Sequence, residues 1–161
     1  MRRNASMQLH EFRQSQILRI PLAEAWAFFS QPANLNEITP PDMRFEVAGG
    51  DMSSIYAGQV VWYRLQLLPG LYRTWVTEIR HVQPQESFID EQRFGPYRFW
   101  QHRHSFKEVS PTQTEVSDHV IYALPFWPFG EVVHTLYVKP MHEKVFRYRR
   151  EALVRRFSAL D

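Results

Sequence analysis

Five polar residues that could do chemistry recur at alternate positions within apolar stretches of the chain. They are Asp90, Gln92, His102, His104 and Asp118. In an extended chain alternate side chains lie on one face, so His102 and His104 are expected side by side, about 7 Å apart. Imidazoles beside carboxylates can form hydrogen bonds, hold a metal or transfer protons.

Three interpretations of this set stay open. If the faces that carry it point inward, the buried charges need partners, and Arg149 or Arg156 in the last helix could supply one as part of a structural network. In the second interpretation the same groups orient a ligand inside an apolar cavity. In the third, His102, His104 and Asp118 are candidate catalytic residues, with a histidine as general base and Arg149 stabilising an oxyanion.

A metal site on these residues is less favoured by the sequence. His-x-His presents two imidazoles to one side, and Asp118 or Asp90 would complete a set of three ligands. However, no third histidine is in register with them, and no spacing enforces the geometry. The sequence also lacks a P-loop, a glycine-rich dinucleotide turn and an EF-hand loop. We therefore expect no metal and no cofactor.

Composition excludes several classes of protein. The 161 residues include no cysteine, which excludes disulfides, thiolate catalysis, zinc fingers and iron–sulfur clusters. The net charge of +2 does not require a polyanionic partner, so we expect no nucleic acid. Apolar runs are far shorter than about 18 residues, and no secretory signal is visible, so we predict no stable membrane insertion and a cytoplasmic location. We expect one domain over 1–161, with 1–7 flexible.

The elements that must position these residues follow from the hydrophobic periodicity. Residues 8–20 are extended, a helix follows Pro21 over 22–30, and a second short helix begins at Pro32. About six strands then alternate with a period of two. An amphipathic helix occupies 138–160. This order predicts an α+β fold in which a curved antiparallel sheet of about seven strands packs around the C-terminal helix.

The apolar face of the last helix is interrupted by polar residues. At 100° per residue, one face carries Val138, Met141, Val145, Phe146, Ala152, Leu153, Phe157 and Leu160. His142, Arg149 and Arg156 fall within this stripe. A curved sheet around a helix tends to leave space, and a mostly apolar space with a few polar groups is a ligand site in outline.

Several short motifs support the same architecture and add a resemblance. They are Asn34-Leu35, Ile38-Thr39-Pro40, Phe88-x-Asp90-x-Gln92, Gly95-Pro96-Tyr97, Trp100-x-His102-x-His104-x-Phe106, Asp118-x-Val120-x-Tyr122 and Phe146-x-Tyr148-Arg149. With them the chain resembles the Bet v 1/START helix-grip superfamily, also called SRPBCC, from about Phe12 to Phe157. Within it the chain resembles a bacterial subgroup described as ligand-binding or cyclase/dehydrase-like.

The resemblance implies a hydrophobic cavity without a dedicated metal or nucleotide cofactor. We predict that a small hydrophobic or aromatic molecule, lipid- or polyketide-like, binds there. The alternative is a cyclase/dehydrase- or hydrolase-type enzyme using a His/Asp pair in the same cavity, and a third is an interaction module without a ligand. The loop over 125–130 would lie near the cavity mouth, with Trp127 and Phe129 as a lid. The predicted ligand-binding residues are Trp75, Asp90, Trp100, His102, His104, Asp118, Tyr122, Phe146 and Arg149.

Overall fold

Seven strands form one antiparallel sheet in the computed structural model, which describes residues 8–68, 70–126 and 128–158. The prediction that 1–7 are flexible lies outside these residues. The spatial order β1-β7-β6-β5-β4-β3-β2 is a meander from β2 to β7, with β1 returning beside β7. The strands are β1 (His10–Leu18), β2 (Glu46–Gly50), β3 (Val60–Leu68), β4 (Leu71–Gln83), β5 (Ser87–Phe94), β6 (Phe99–Ser110) and β7 (Gln113–Ala123).

Short helices connect β1 to β2, and a long helical run ends the described chain. The connection contains α1 (Leu22–Phe29) and two 3-10 turns, Pro32–Ile38 and Pro41–Met43. The terminal run consists of α2 (Phe129–Val133), a π turn (His134–Val138) and α3 (Lys139–Ser158). None of the helices described is both long enough and apolar enough to cross a bilayer. The predicted α+β helix-grip architecture is confirmed.

The amphipathic helix predicted over 138–160 corresponds to α3, which begins at Lys139, and α2 with the π turn precedes it from Phe129. These first turns carry exposed apolar side chains, such as Phe129 and Leu136. Strand β2 begins only at Glu46, because Pro41–Met43 forms a 3-10 turn that ends at Arg44 in a left-handed conformation. Gly49 and Gly50 are the last two residues of β2.

The predicted stripe of α3 faces the sheet. Phe146, Ala152, Leu153 and Phe157 are buried, whereas Arg147 on the opposite side of α3 is exposed. Leu160 lies outside the described residues. Among the polar residues of the stripe, His142 and Arg149 are buried as well. Arg156 does not act as the partner of the buried polar residues that the sequence allowed. It is exposed, and its Nη1 lies 2.7 Å from Glu37 Oε2 at the surface.

The buried residues fall into two groups at opposite ends of α3. The first, the apolar cluster, joins α1, the strands and the C-terminal half of α3 through Leu18, Ile20, Ala25, Phe28, Ile38, Ile79, Phe88, Phe106, Val116, Ala152, Leu153 and Phe157. The second, the tyrosine cluster, contains Tyr97, Val120, Tyr122, Val138 and Phe146. Residues of both groups face a cavity between the sheet and α3.

Candidate functional site

A cavity of about 190 Å³ lies between the inner face of the sheet, the first 3-10 turn and α3. Its wall is mostly apolar and rich in aromatic side chains. Polar groups reach it from β5, β6 and α3. The predicted ligand-binding residues that line it are Trp75, Asp90, Trp100, His102, His104, Phe146 and Arg149.

Two predicted contact residues, Asp118 and Tyr122, are not among the described residues that line the cavity. The Asp118 carboxylate is buried behind His102, His104 and Arg149, whose side chains all approach it. Tyr122 lies in the tyrosine cluster, and its hydroxyl is 2.9 Å from Nε2 of His134. Both residues therefore lie behind the described cavity wall, and their contact with a ligand stays a prediction.

The strand register brings two histidines and two aspartates together. In the sheet, Asp90 on β5 lies opposite His102 on β6, and His104 on β6 lies opposite Asp118 on β7. Each histidine therefore has one aspartate directly across and another on the diagonal, which side chains of this length can reach. We call these four residues the His–Asp square.

Short contacts close the His–Asp square on all four sides. His102 places Nε2 at 2.7 Å from Asp118 Oδ1 and Nδ1 at 3.3 Å from Asp90 Oδ2. His104 places Nε2 at 2.9 Å from Asp90 Oδ2 and Nδ1 at 3.2 Å from Asp118 Oδ1. Trp100 also donates its indole N–H to Asp90 Oδ1 at 3.1 Å. Both imidazoles thus turn their ring nitrogens toward carboxylates.

Arg149 connects the His–Asp square to α3. Its Nη1 lies 3.5 Å from Asp118 Oδ1, and its guanidinium carbon lies 5.0 Å from the centre of the Phe146 ring. Although the side chain is buried, no described residue accepts a hydrogen bond from Nε or Nη1. Arg149 therefore brings to the cavity wall a buried cation that is ion-paired with Asp118 and has hydrogen-bond donors that no described residue accepts.

Opposite charges within the His–Asp square outweigh the effect of burial on the pKa values of its residues. Burial alone would lower the pKa of His102, but Asp90 and Asp118 outweigh it and raise that pKa to about 8. Burial would raise the pKa of both carboxyls, yet His102 and His104 hold them below the usual range, with Arg149 also acting on Asp118. At neutral pH the charges of Asp90, Asp118, His102 and Arg149 cancel.

A second polar pair in the cavity, Tyr97 and His142, was missed as a site in the sequence. The Tyr97 hydroxyl lies 2.8 Å from His142 Nε2, while His142 Nδ1 has no hydrogen-bond partner among the described residues. Burial, with the nearby charges of His134 and His102, lowers the pKa of His142 to about 4, so its imidazole is neutral at pH 7. The signal was present, because His142 interrupts an otherwise apolar stripe.

The turn after β5 positions Tyr97. Gln92 accepts from the Tyr97 backbone N–H at 3.2 Å and donates to the Tyr97 carbonyl at 2.7 Å. A Cβ at Gly95 would collide with the Gln92 side chain, so a larger residue there would displace Gln92 from these two hydrogen bonds. Gln92, which the sequence analysis placed in the polar set, therefore stabilises this turn through its two hydrogen bonds with the Tyr97 backbone.

A second cavity of about 300 Å³ lies beside the start of the terminal helical run. Tyr97 and Met141 line both cavities and therefore lie between them. Phe129, predicted as a lid, lines this second cavity and is 76% exposed. Phe126 also lines it and is 81% exposed. The other predicted lid residue, Trp127, lies outside the described residues.

A metal on the His–Asp square would need to displace existing contacts. Ligand atoms of Asp90, His102 and His104 lie within 4.8 Å of one another. However, their ring nitrogens already contact carboxylates, and the cationic Arg149 lies beside Asp118. The donor set is chemically suitable, but its hydrogen bonds and its neighbouring cation both favour the metal-free arrangement.

Comparison with known proteins gives no sequence match and a clear structural likeness. No protein-family profile and no curated protein matches the chain. Among solved structures, the Zhui aromatase/cyclase from Streptomyces sp. R1128 superposes with a TM-score of 0.73 at 11% identity, covering 94% of each chain. A START superfamily protein from Mycobacterium smegmatis gives 0.66 at 15% identity, covering 94% of this chain and 99% of that one.

An enzyme from a plant shares the same architecture. A point mutant of norcoclaurine synthase from Thalictrum flavum, in complex with a transition-state analogue, gives a TM-score of 0.61 at 12% identity. The alignment covers 94% of this chain and 98% of that one. At such low identities the likeness concerns the fold and not the activity. The chain therefore has the Bet v 1/START helix-grip fold, as its sequence motifs predicted.

Proposed function

We propose that the protein binds a small, largely apolar molecule in the cavity between the sheet and α3, and that this molecule carries an acidic oxygen. One observation carries the proposal: Nε and Nη1 of the buried Arg149, which donate a hydrogen bond to no described residue, border a mostly apolar, aromatic wall. Ligand pockets in proteins have this composition, with a few polar groups that set the orientation.

The unpartnered donors define the polar end of the ligand. A guanidinium is charged at all ordinary pH values and presents its donors in a rigid fork. Leaving a buried donor unsatisfied costs about 1–3 kcal/mol, and Asp118 already accepts a hydrogen bond from His102. A carboxylate, enolate or phenolate oxygen on the ligand would satisfy Arg149 and stabilise the complex.

The aromatic wall favours a flat apolar body. Trp75 and Trp100 meet at 90° with ring centres 4.9 Å apart, and Tyr97 lies 4.9 Å from Trp100. Rings in such edge-to-face groups offer both faces and edges to an inserted ring. An aromatic or polyketide-like molecule fits this wall better than a simple sugar or nucleotide would.

A matched pair of probes tests this proposal through tryptophan fluorescence. 2-Naphthoate and 2-methylnaphthalene share the ring system, but only naphthoate has a carboxylate. We expect Arg149→Met to weaken naphthoate binding about tenfold or more, the value of a charged hydrogen bond, and to leave methylnaphthalene binding nearly unchanged. Arg147→Met, at an exposed position of α3, is the control. Failure of both probes to bind, or an equal loss for both, would contradict the proposal.

A cyclase-type enzyme is the second candidate, supported by His142. His142 is a neutral imidazole whose Nδ1 has no hydrogen-bond partner in the described part of the chain, and such a group in a ligand cavity can act as a general base. By contrast, His102 is cationic at neutral pH. The Nδ1 of His104 also forms no hydrogen bond with a described residue, but it lies 3.2 Å from Asp118 Oδ1, and Nε2 lies 2.9 Å from Asp90 Oδ2. We therefore place the base of this second function at His142, whereas the sequence pointed to His102 or His104.

Turnover of a poly-β-ketone thioester, followed by the absorbance of an aromatic product, tests the second candidate. His142→Gln should abolish product formation and retain naphthoate binding. His104→Ala should reduce turnover less. A complete loss of turnover in His104→Ala with turnover retained in His142→Gln would assign the base to His104. If the unmodified protein yields no product while naphthoate binds, the protein is a carrier and not a cyclase.

The proposal also includes a cytoplasmic site of action without nucleic acid. Binding of a small molecule in an internal cavity needs neither a polyanion nor a membrane surface. Cell fractionation tests the location, and an absence of salt-dependent binding to duplex DNA tests the exclusion of nucleic acid.

A further inference from the structure

Two histidines and one glutamate meet outside the cavity, where β1 begins beside the terminal helical run. One potential ligand atom from each of His10, Glu131 and His134 lies within 4.8 Å of the others. His10 Nε2 is 3.1 Å from Glu131 Oε2, and the rings of His10 and His134 stack with centres 3.6 Å apart. This group takes no part in the proposed binding site.

The types and spacing of these residues are those of a metal site. Two imidazoles and one carboxylate form a common three-ligand set for Zn²⁺, with a fourth position left open. Glu131 and His134 stand three residues apart on helical backbone, so their side chains project from the same side. The π turn begins at His134, and such turns are frequent at functional sites.

From this arrangement we propose that His10, Glu131 and His134 bind one divalent transition-metal ion of the zinc class. The ion joins the start of β1 to the start of the terminal helical run. Gly130 and Val133 of the same segment line the second cavity, so the ion also stabilises one wall of that cavity. The proposal does not rest on the binding of an apolar ligand.

Access distinguishes this cluster from the His–Asp square. His10 and Glu131 side chains are 11% and 27% exposed, so an ion can arrive from solvent. In the His–Asp square, His102, His104 and Asp118 are buried and Asp90 is 18% exposed, and all four ring nitrogens lie within 3.3 Å of a carboxylate oxygen. At the cluster of His10, Glu131 and His134, the main change on metal binding is rotation of the stacked imidazole rings. In this rotation His134 releases the Tyr122 hydroxyl, which lies 2.9 Å from its Nε2.

Calorimetric titration of metal-stripped, untagged protein with zinc chloride tests the proposal. We expect about one equivalent of Zn²⁺ to bind, and the thermal midpoint to rise as the ion stabilises the folded state. Glu131→Gln and His134→Gln should each weaken binding about tenfold or more, since even changes around metal ligands cost 10–100-fold. His119→Gln, which alters a histidine paired with Glu11 outside the cluster, should leave the affinity unchanged.

Two other outcomes would overturn the proposal. The first is the absence of Zn²⁺ binding, or an affinity that Glu131→Gln and His134→Gln leave unchanged. The second is loss of binding in Asp90→Asn with retention in His134→Gln, which would assign the ion to the His–Asp square. Circular dichroism of each variant shows that it is folded before titration.

Discussion

The two ends of α3 pack against the sheet in different ways. Around Leu153 and Phe157, the apolar cluster contains only aliphatic and phenylalanine side chains. Around Phe146 and Val138, the tyrosine cluster also contains two buried tyrosines whose hydroxyls contact histidines, Tyr97 with His142 and Tyr122 with His134. The His–Asp square and Arg149 lie between these two ends.

The two ends of α3 therefore contribute differently to stability and to binding. Apolar packing contributes stability without any need for partners. Polar groups in a buried position must find partners to avoid a cost, and those left without them are characteristic of functional sites. The predictions below change one end at a time and run from the largest expected effect to the smallest.

Breaking the charge network between the two ends should have the largest effect. Asp118→Asn removes the carboxylate shared by His102, His104 and Arg149. We expect a loss of about 3–5 kcal/mol in the free energy of unfolding, because cations remain buried without their partner. Urea denaturation measures it. The control Asp42→Asn, which breaks the exposed pair with Lys144, should cost less than about 1 kcal/mol.

Truncation in the apolar cluster should reduce stability and spare binding. Leu153→Ala leaves a cavity at a side chain that is 3% exposed, and we expect a loss of about 3 kcal/mol. Val154→Ala, at a neighbouring position that is 46% exposed, should cost about 0.5 kcal/mol or less. The affinity of folded protein for naphthoate should be the same in both. A large change in naphthoate affinity with Leu153→Ala would contradict the separation of stability and binding between the two ends of α3.

Two histidines should give stability opposite dependences on pH. The pKa of His102 is raised from 6.5 to about 8, so its contribution is full below pH 6.5 and is lost as pH rises through 8. The pKa of His142 is lowered from 6.5 to about 4, so folding is favoured above pH 6.5 and stability is lost as pH falls toward 4.

Urea denaturation from pH 4 to pH 8 measures both slopes. His102→Gln should flatten the slope between pH 6.5 and 8, and His142→Gln should flatten the slope between pH 6.5 and 4. The lowered pKa values of Asp90 and Asp118 add a further loss only below their ordinary value of 3.8. Slopes that neither substitution changes would refute this assignment of the protons.

Removal of one hydroxyl should have a smaller effect in the tyrosine cluster. Tyr97→Phe deletes the partner of His142 Nε2, and we expect a loss of about 1–2 kcal/mol in the free energy of unfolding. Tyr56→Phe removes an exposed hydroxyl that donates to Asp51 and should cost less. An equal effect of the two substitutions would show that the buried contact contributes nothing beyond packing.

The smallest effect is expected where aromatic residues are exposed. Phe126→Ser and Phe129→Ser alter side chains that are 81% and 76% exposed, so the free energy of unfolding should change by about 0.5 kcal/mol or less. A lid role predicts instead a faster release of naphthoate, measured by stopped-flow fluorescence. Unchanged release rates would remove Phe129 from the predicted lid.

Much of the candidate site could be predicted from alternation along the strands. His102 and His104 share a face because side chains in a strand have a period of two, and Asp90 follows the same rule. Partnership between strands is not local, so the position of Asp118 behind the histidines depended on the register of β6 with β7. The positions of Tyr122 and His142 also depend on contacts between segments that are distant in the sequence.

The sequence by itself determined the order of elements, the apolar face of α3 and the alternation of the strands, because these are periodic properties of neighbouring residues. Only the tertiary structure decided which charged groups are buried. Arg149 and Arg156 lie two helical turns apart on nearly the same face. Arg149 meets Asp118 on the sheet, whereas Arg156 reaches Glu37 at the surface. The difference lies in what each arginine packs against, which no local pattern encodes.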